Sequence, residues 1–577
     1  MSTTTMASTQ EPYSSIAETS RIFDLILSLV DPVSLPPGTK VKRADVDFTG
    51  ARDQPYFFIP FKETETAAAL KAVEGCVASL LADLKSGGDG RPRRITVDQE
   101  KTTAFLFQAY LARVGGLGKL DKDVRSLLKA SSAAPDTDLL QAQSDQYRRM
   151  SANLYATAEK GEYYHIHGSL EASTTLRMIG LESHRPDLKT HEDIVGVIEP
   201  AVQQFTVDEL EALNAKNRQA GVKAYKHEDF LRTPHGKVNW QLPPWTVEPL
   251  ETTTPPCPLP DRGDRRVLSG VKVLEMCRII AGPVVARILG EYGADVLKIT
   301  SPHLSDVPFF QVDGNMGKRA ADLDLKTPEG RQVFEKLLDE ADVVVDGYRP
   351  GALEKLGYGP KALSERAARR GRGIVYVNEN CFGYEGEWAG RPGWQQIADC
   401  VSGIAWEQGR FMGLDEPVVP PFPISDYGTG CIGAIAALTG LYHRATRGGS
   451  WHGKASLLHY DLLLFKAGLL PEAVRAQLRE QAGEAFLALR HAHSVDQISG
   501  TALRQMRLLY PDLVDQPRHL DRWHAEGYGA EVSAVLPVVQ MEGVDIGFQR
   551  ASRPNGTDEA SWDFAGGKDW RKQTEAA

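Results

Sequence analysis

No CxxC pair occurs in this chain, and its six cysteines, at positions 76, 257, 277, 381, 400 and 431, are scattered. That spacing provides neither a metal framework nor a disulfide scaffold and points to a reducing compartment. Long hydrophobic runs are missing too. The longest uncharged stretch with helical character, residues 427–443, is rich in Gly and Ala and too short for a membrane span. The N-terminus is rich in Ser and Thr, and Arg21 is its first basic residue. It has neither an apolar secretory run nor an Arg-rich transit face, and the final Glu-Ala-Ala is no peroxisomal tail, so the cytoplasm is the expected location. Positive charge is not in excess: 66 Lys and Arg stand against 76 Asp and Glu, a net −10. This balance argues against nucleic acid or an anionic membrane as partner and leaves room for a local basic pocket.

What is present is ordinary soluble-globular usage, with 42% apolar and 25% charged residues over 577 positions, enough for two sizeable cores. Residues 251–264, ETTTPPCPLPDRGD, cluster Pro, Thr and charge and read as a linker. The expected organisation is a disordered tail over 1–20, a first module over 21–250, a second over 265–475, and a helical, polar extension over 476–577 whose polar tail begins near Arg550. Before the linker, residues 64–87 carry a stripe of Leu70, Val73, Val77, Leu80, Leu81 and Leu84 that predicts an amphipathic helix. Short strands are expected over 95–97 and 163–167, and helices over 103–114 and 207–220. After the linker, β-branched runs at 271–276, 295–299, 342–345 and 374–377 alternate with helical stretches at 284–291 and 328–338. That alternation predicts an α/β fold: a Rossmann-like parallel sheet with helices on both faces, plus a smaller α/β domain. One echo, residues 94–111 against 452–469, reads twice as a strand running into an apolar helix; two unrelated strand-to-helix units would look the same.

Three clusters carry possible chemistry. Arg278-Ile279-Ile280-Ala281-Gly282-Pro283 follows the first strand after the linker, where a turn into a helix offers free N–H groups to a phosphate. No GxGxxG or Walker loop is present, so a plain turn fits equally well. Lys326 precedes a helix start at Thr327-Pro328, and Gly347-Tyr348-Arg349 follows a strand end, where open α/β sheets bind ligands. Solvated surface explains these basic residues as well.

With these motifs in view, residues 265–470 closely resemble the family III CoA-transferases, also called the CaiB/BaiF superfamily. The likeness is carried by LSGVKVLEMCRIIAGPVVARILGEYGADVLKI, GKRAADLDLKTPEGR, ADVVVDGYRPGALEKLGYG, GEWAGRPGWQQIADCVSGI and PISDYGTGCIGAIAALTGLYHR, five motifs in the family's order. The resemblance implies a Rossmann-like large domain, a homodimer, and CoA with a carboxylic acid as substrates, without a permanently bound cofactor or metal. It places the catalytic aspartate on Asp426. CoA contacts fall on Arg278, Ile279, Ile280 and Ala281, on Leu323 and Lys326, and on Gly347, Tyr348, Arg349, Lys355, Leu356 and Trp394. The chemistry this implies is attack of a carboxylate on a thioester, giving an activated acyl link. A helix N-cap is the plain alternative for Asp426.

Two departures shape the reading. Racemases of the superfamily carry a histidine–aspartate pair where this chain has Trp394-Gln395, which cannot serve as bases. A racemase or isomerase therefore stands as an alternative, with a non-catalytic CoA-binding paralogue as another. The order of modules also looks permuted, as in a two-module subgroup: residues 94–236 resemble the family's second half and small domain. Asp399 matches no catalytic position and reads as structural, and the pair His165-x-His167 reads as surface residues.

Overall fold

The computed structural model describes residues 12–87, 92–131, 136–515, 517–564 and 569–571. In chain order the strands are β1 (Val46–Thr49), β2 (Ile95–Asp98), β3 (Ala152–Ala156), β4 (Tyr163–His167), β5 (Val222–Lys223), β6 (Thr246–Glu251), β7 (Lys272–Met276) and β8 (Asp295–Thr300). They continue with β9 (Lys318–Asp322), β10 (Val343–Asp346), β11 (Val375–Asn380), β12 (Ser450–Ser456), β13 (Leu520–Ala525), β14 (Ala530–Val535) and β15 (Val539–Met541). The β-branched runs after the linker become the interior of a seven-stranded sheet of order β9-β8-β7-β10-β11-β12-β6. All its neighbours are parallel except β6, which lies antiparallel on β12. Strands β8 and β10 are buried along their whole length, as expected when helices cover both faces of a parallel sheet. The strand order reverses between β7 and β10, so a crevice opens at their carboxyl ends.

The helices that position the site are α1 (Ser15–Leu29), α2 (Glu63–Lys85), α3 (Gln99–Leu106), α4 (Ala281–Glu291), α5 (Gln395–Ser402), α6 (Ile424–Arg447), α7 (Leu457–Ala467) and α8 (Val495–Leu509). The Gly- and Ala-rich stretch that is too short for a membrane is the middle of α6, and it is buried. Its small residues permit close packing: a Cβ at Gly433 would meet Val285 of α4 at 2.5 Å, and one at Gly440 would meet Val375 of β11 at 2.6 Å. Among the described residues no helix is long and apolar enough to cross a membrane.

Several expectations are corrected. Residues 12–20 are ordered, because Ser14 caps α1 and that helix buries Ile22, Phe23 and Ile26; residues 1–11 lie outside the described residues. Helix α2 is not a one-sided amphipathic helix. It is buried on nearly every face between α1 and α6, with Lys71 and Glu74 neutralising each other at 3.0 Å inside. The segment read as one helix over 103–114 breaks into α3, a short helix Gln108–Leu111 and a two-residue strand Arg113–Val114. The extension after 476 is helical only at first. Strand β14 pairs with β13 and with Arg113–Val114, and β15 pairs with β2, so β14 and β15 find partners some 400 residues upstream. The polar tail from Arg550 is laid along the outer edge of the large sheet, where Asp558 N–H donates to Ala320 O at 2.8 Å and Trp562 Nε1 donates to Leu337 O at 3.1 Å. The largest apolar cluster runs from Ile22 through Val247 and Val267 to Met541, so residues on both sides of 251–264 share one core.

Candidate active site

The turn from β7 into α4 is built under strain. Ile279 has φ 71°, a left-handed conformation that β-branched residues avoid, so packing around the turn must hold it there. Ile280 is the N-cap of α4 and makes no side-chain capping bond, which leaves helix N–H groups pointing into the crevice. Arg278 donates from Nη1 to Ser305 O at 2.7 Å and lies 5.6 Å from the Tyr348 ring centroid. Tyr348 and Arg349 come from the turn after β10, where a Cβ on Gly347 would press on Cys277 Sγ at 3.2 Å and Glu379 Oε2 at 3.3 Å. Burial, and then the charge of Arg278, lower the pKa of Arg349. Neither guanidinium makes an ion pair among the described residues, so the two together form an anion-seeking mouth.

A cavity of ≈ 260 Å³ opens here, lined by Arg278, Ile279, Ile280, Ala281, Gly347, Tyr348, Arg349, Trp394 and Asp426. Leu323, Lys326 and Leu356 line a second cavity of ≈ 190 Å³ that shares Tyr348 with the first. Lys355 lines neither and is exposed at the end of the helix Ala352–Lys355. All but Lys355 of the site residues that the resemblance implies are thus brought to two adjoining cavities.

Asp426 sits in the first turn of α6, but the N-cap of that helix is Pro423, so the carboxyl caps nothing. It forms no hydrogen bond and no ion pair among the described residues. Burial, Glu379 and Asp461 raise its pKa well above the usual range. Glu379 lines the same cavity and is pushed up to about 8 by burial and Asp346. Behind Asp426, Ser425 Oγ lies 2.7 Å from Asp461 Oδ1 and 3.0 Å from Asp399 Oδ1. A hydroxyl has one proton to give, so one of these contacts is made by a protonated carboxyl. Burial raises both carboxyls, Asp399 with a further push from Asp461, and Asp461 also accepts from Ser402 Oγ at 3.0 Å. Asp399 further accepts from Gln395 Nε2. Asp399 is thus hydrogen-bonded to the residue next to Asp426.

On the other side of Asp426 lies a third cavity, of ≈ 110 Å³, that the first module closes through Tyr110, Lys119, Arg149, His167, Ser169 and Leu170. Trp394 and Gln395 line both this cavity and the first one. Trp394 Nε1 donates to Ser169 Oγ at 2.9 Å, and its ring stacks on His167 at 5.6 Å. The surface reading of His165 and His167 is therefore corrected: both are buried, because β4 is the central strand of the small sheet β3-β4-β5 and α5 packs against it. His167 Nδ1 accepts from Ser169 N at 3.0 Å, which fixes its tautomer, and burial then His165 hold the ring neutral. Sequence reasoning missed Glu379, Asp461, Lys119 and Arg149. Each is an ordinary charged residue in its own segment, and only the folded chain gathers them.

A doubly wound α/β sheet with adjoining cavities at its switch point, the first of them lined by the unpaired carboxyls of Asp426 and Glu379, fits a thioester-handling class of fold and site. Comparison with known proteins fits it. The sequence profile described as CoA-transferase family III matches residues 268–491. The chain is 30% identical over 540 residues to the acetyl-coenzyme A transferase nodX of Hypoxylon pulicicidum, covering 92% of this chain and 90% of that one. It is 33% identical over 423 residues to an acyl-CoA transferase of Gibberella moniliformis, covering 72% and 73% of the two chains. Over 203 residues it is 36% identical to the beta subunit of the succinyl-CoA–L-malate CoA-transferase of Chloroflexus aurantiacus, covering 33% of this chain and 49% of that one. This chain belongs to CoA-transferase family III.

Proposed function

We propose that this CoA-transferase moves CoA between two carboxylic acids through a covalent intermediate on Asp426. The observation that carries the reading is the Asp426 carboxyl, free of hydrogen bonds and cations, at the meeting point of two cavities. CoA lies along Arg278–Ala281 and Gly347–Arg349, with Leu323, Lys326 and Leu356 at its nucleotide end. Asp426 attacks the thioester carbonyl, the C–S bond breaks, and CoA leaves as thiolate from a mixed anhydride. The thiolate attacks the aspartyl carbonyl, releasing the first acid and leaving CoA on Asp426 as a thioester. The second acid repeats the steps in reverse order and departs as its CoA thioester, with Asp426 free again. A raised pKa makes the ionised Asp426 a stronger nucleophile, so the acid limb of the rate profile reports its deprotonation. The homodimer that the family resemblance implies and the cytoplasmic location expected from the sequence belong to this reading.

The test is to incubate the protein with acetyl-CoA and hydroxylamine and map the modified peptide by mass spectrometry. A hydroxamate on Asp426 supports the reading. Deuterium exchange at the acyl α-carbon without any hydroxamate would instead make the protein an isomerase of the same fold.

A further inference from the structure

Glu379 is the second unpaired carboxyl of the first cavity, and its strand carries it toward Asp426. Strand β11 turns Tyr376 and Asn378 to one face, where they donate to Asp346 Oδ2 at 2.8 Å and 3.0 Å. Alternation puts Val375, Val377 and Glu379 on the other face, which α6 covers. Helix α6 runs against the strand. An added Cβ on Gly440 would meet Val375 at 2.6 Å, and one on Gly453 would meet Ala436 at 2.8 Å and Val377 at 3.5 Å. The next residue on that face, Glu379, therefore reaches toward the start of α6. The turn into α4 meets it there. A Cβ on Gly347 would lie 3.3 Å from Glu379 Oε2, one on Gly282 would lie 3.6 Å from Gly347 Cα, and one on Gly430 would lie 3.3 Å from Ala281 O. Asp426, one turn before Gly430, and Glu379 thus approach the same turn from two sides and line one cavity.

No cation answers either carboxyl. Of the guanidiniums that line the cavity, Arg278 donates to Ser305 O at 2.7 Å, Arg349 to Arg218 O at 3.2 Å, and Arg391 pairs with Glu211 at 2.9 Å. The groups that face Glu379 are Asp346 from β10, Cys277 after β7, Cys381 and Tyr384 after β11, and Asp426 itself. Burial keeps the two thiols and the phenol protonated, so the surroundings offer negative charge alone. Two carboxyls in such a space do not both ionise, and once Asp426 carries the charge Glu379 keeps a proton. Glu379 is half-buried with its open part toward the cavity, and its O–H has no acceptor among the described residues. A shielded donor of this kind ordinarily has one, and the group that enters this cavity can supply it.

Resting on the transfer reading above, we propose that Glu379 is a second catalytic residue: it stays a neutral acid and donates its O–H to the acyl carbonyl oxygen while Asp426 attacks the carbonyl carbon. Negative charge grows on that oxygen as the new C–O bond forms, and the hydrogen bond strengthens with it. The charge leaves with the thiolate when the C–S bond breaks and the carbonyl is restored. The proton stays on Glu379 throughout.

The test follows exchange of deuterated acetate into acetyl-CoA by mass spectrometry with the full-length protein. Rates are divided by the amount of Asp426 that acetyl-CoA and hydroxylamine label, which removes any loss of folded enzyme. Wild-type kcat is expected to fall as pH rises past about 8, where Glu379 gives up its proton. Glu379→Gln still donates, so it should lose about tenfold at most at neutral pH, and the alkaline fall should vanish. Glu379→Met cannot donate and should lower kcat by about a hundredfold with little change in KM. The inference is overturned by a wild-type profile without the alkaline fall, by a fall that persists in Glu379→Gln, or by equal kcat in Glu379→Gln and Glu379→Met. Any of these with Asp426 labelled leaves the covalent reading standing. If the wild type forms no label, both fall.

Discussion

Beneath the middle of α6, buried charges come in matched pairs: Lys71 with Glu74 at 3.0 Å, Arg287 with Glu291 and Asp313, and Lys318 with Glu275 at 2.6 Å. At the N-terminus of the same helix, Glu63, Glu379, Asp399, Asp426 and Asp461 gather with no cation paired to any of them among the described residues. The first region is shut off from water, and the second is buried too except where Glu379 and Asp426 line the cavity. The first lowers the cost of burial by pairing, and Arg287 ties it to the end of the chain by donating to Val535 O at 2.9 Å. The second leaves burial uncompensated, so its carboxyls hold protons or sit poised to lose them. Uncompensated burial costs stability, and a fold tolerates it where the group has chemistry to perform.

The sharpest break in this comparison is Asp426→Asn. It should lower CoA transfer by about 10⁴-fold or more, because it removes the proposed nucleophile, and Glu379, which also lines the cavity without a partner, comes from β11 and not from the start of α6. The melting temperature should hold or rise, and CoA binding by calorimetry should stay close to wild type. Retained transfer would show that the acidic region is not the reacting one.

Breaking the paired region should do the opposite. Arg287→Met strands Glu291 and Asp313 in the core and should cost about 3–5 kcal/mol of stability in urea unfolding. Asp461→Asn, in the acidic region, removes a buried charge without stranding a cation and should cost far less. Equal losses for the two variants would mean that pairing does not set the two regions apart.

The acidic region also has a pH signature. Burial pushes Asp461 up to about 7, and Glu63 and Glu379 up to about 8, against ordinary values near 4 when unfolded. Between those limits the folded chain holds protons that the unfolded chain has released. Stability from these groups therefore falls as pH rises from about 4 to about 8. Glu379→Gln should flatten that fall by about one proton, or roughly 1.4 kcal/mol per pH unit, in unfolding measured at several pH values. A slope identical to wild type would mean that Glu379 is ionised in the folded state.

How far the sequence discloses this depends on the range of each contact. The strands of the large sheet and the turn at Arg278–Ala281 are legible because a β-branched run and the turn that ends it are local. Asp426 is legible through its neighbours Gly428 and Gly430, which belong to a motif. The acidic region is not, since Glu63, Glu379, Asp399 and Asp461 come from four distant elements and each alone looks like a surface charge. The burial of α2 misleads for a related reason: Lys71 and Glu74 suggest a wet face until their mutual pairing is seen. His165 and His167 look exposed in an alternating strand, because nothing local announces that α5 will cover them. Strands β14 and β15 escape because their partners are far upstream in the chain.

The smallest expected effect lies at the rim, where charge is neither matched nor buried. Lys326 is exposed beside Leu323 in the second cavity, and water already solvates its ammonium. A bond from it to a CoA phosphate replaces good hydration, so Lys326→Ala should weaken CoA by only about 1 kcal/mol, roughly fivefold, at low salt. Because the pair is open to solvent, the difference from wild type should shrink as ionic strength rises. Arg349→Ala should behave differently. Part of its guanidinium is shielded and lies near the charge of Arg278, so its loss should survive added salt better. Calorimetric titrations of CoA into both variants across a salt series separate the two. Matching salt slopes would place Arg349 with Lys326 in the solvated rim and leave the helix start at Ile280 as the main phosphate anchor.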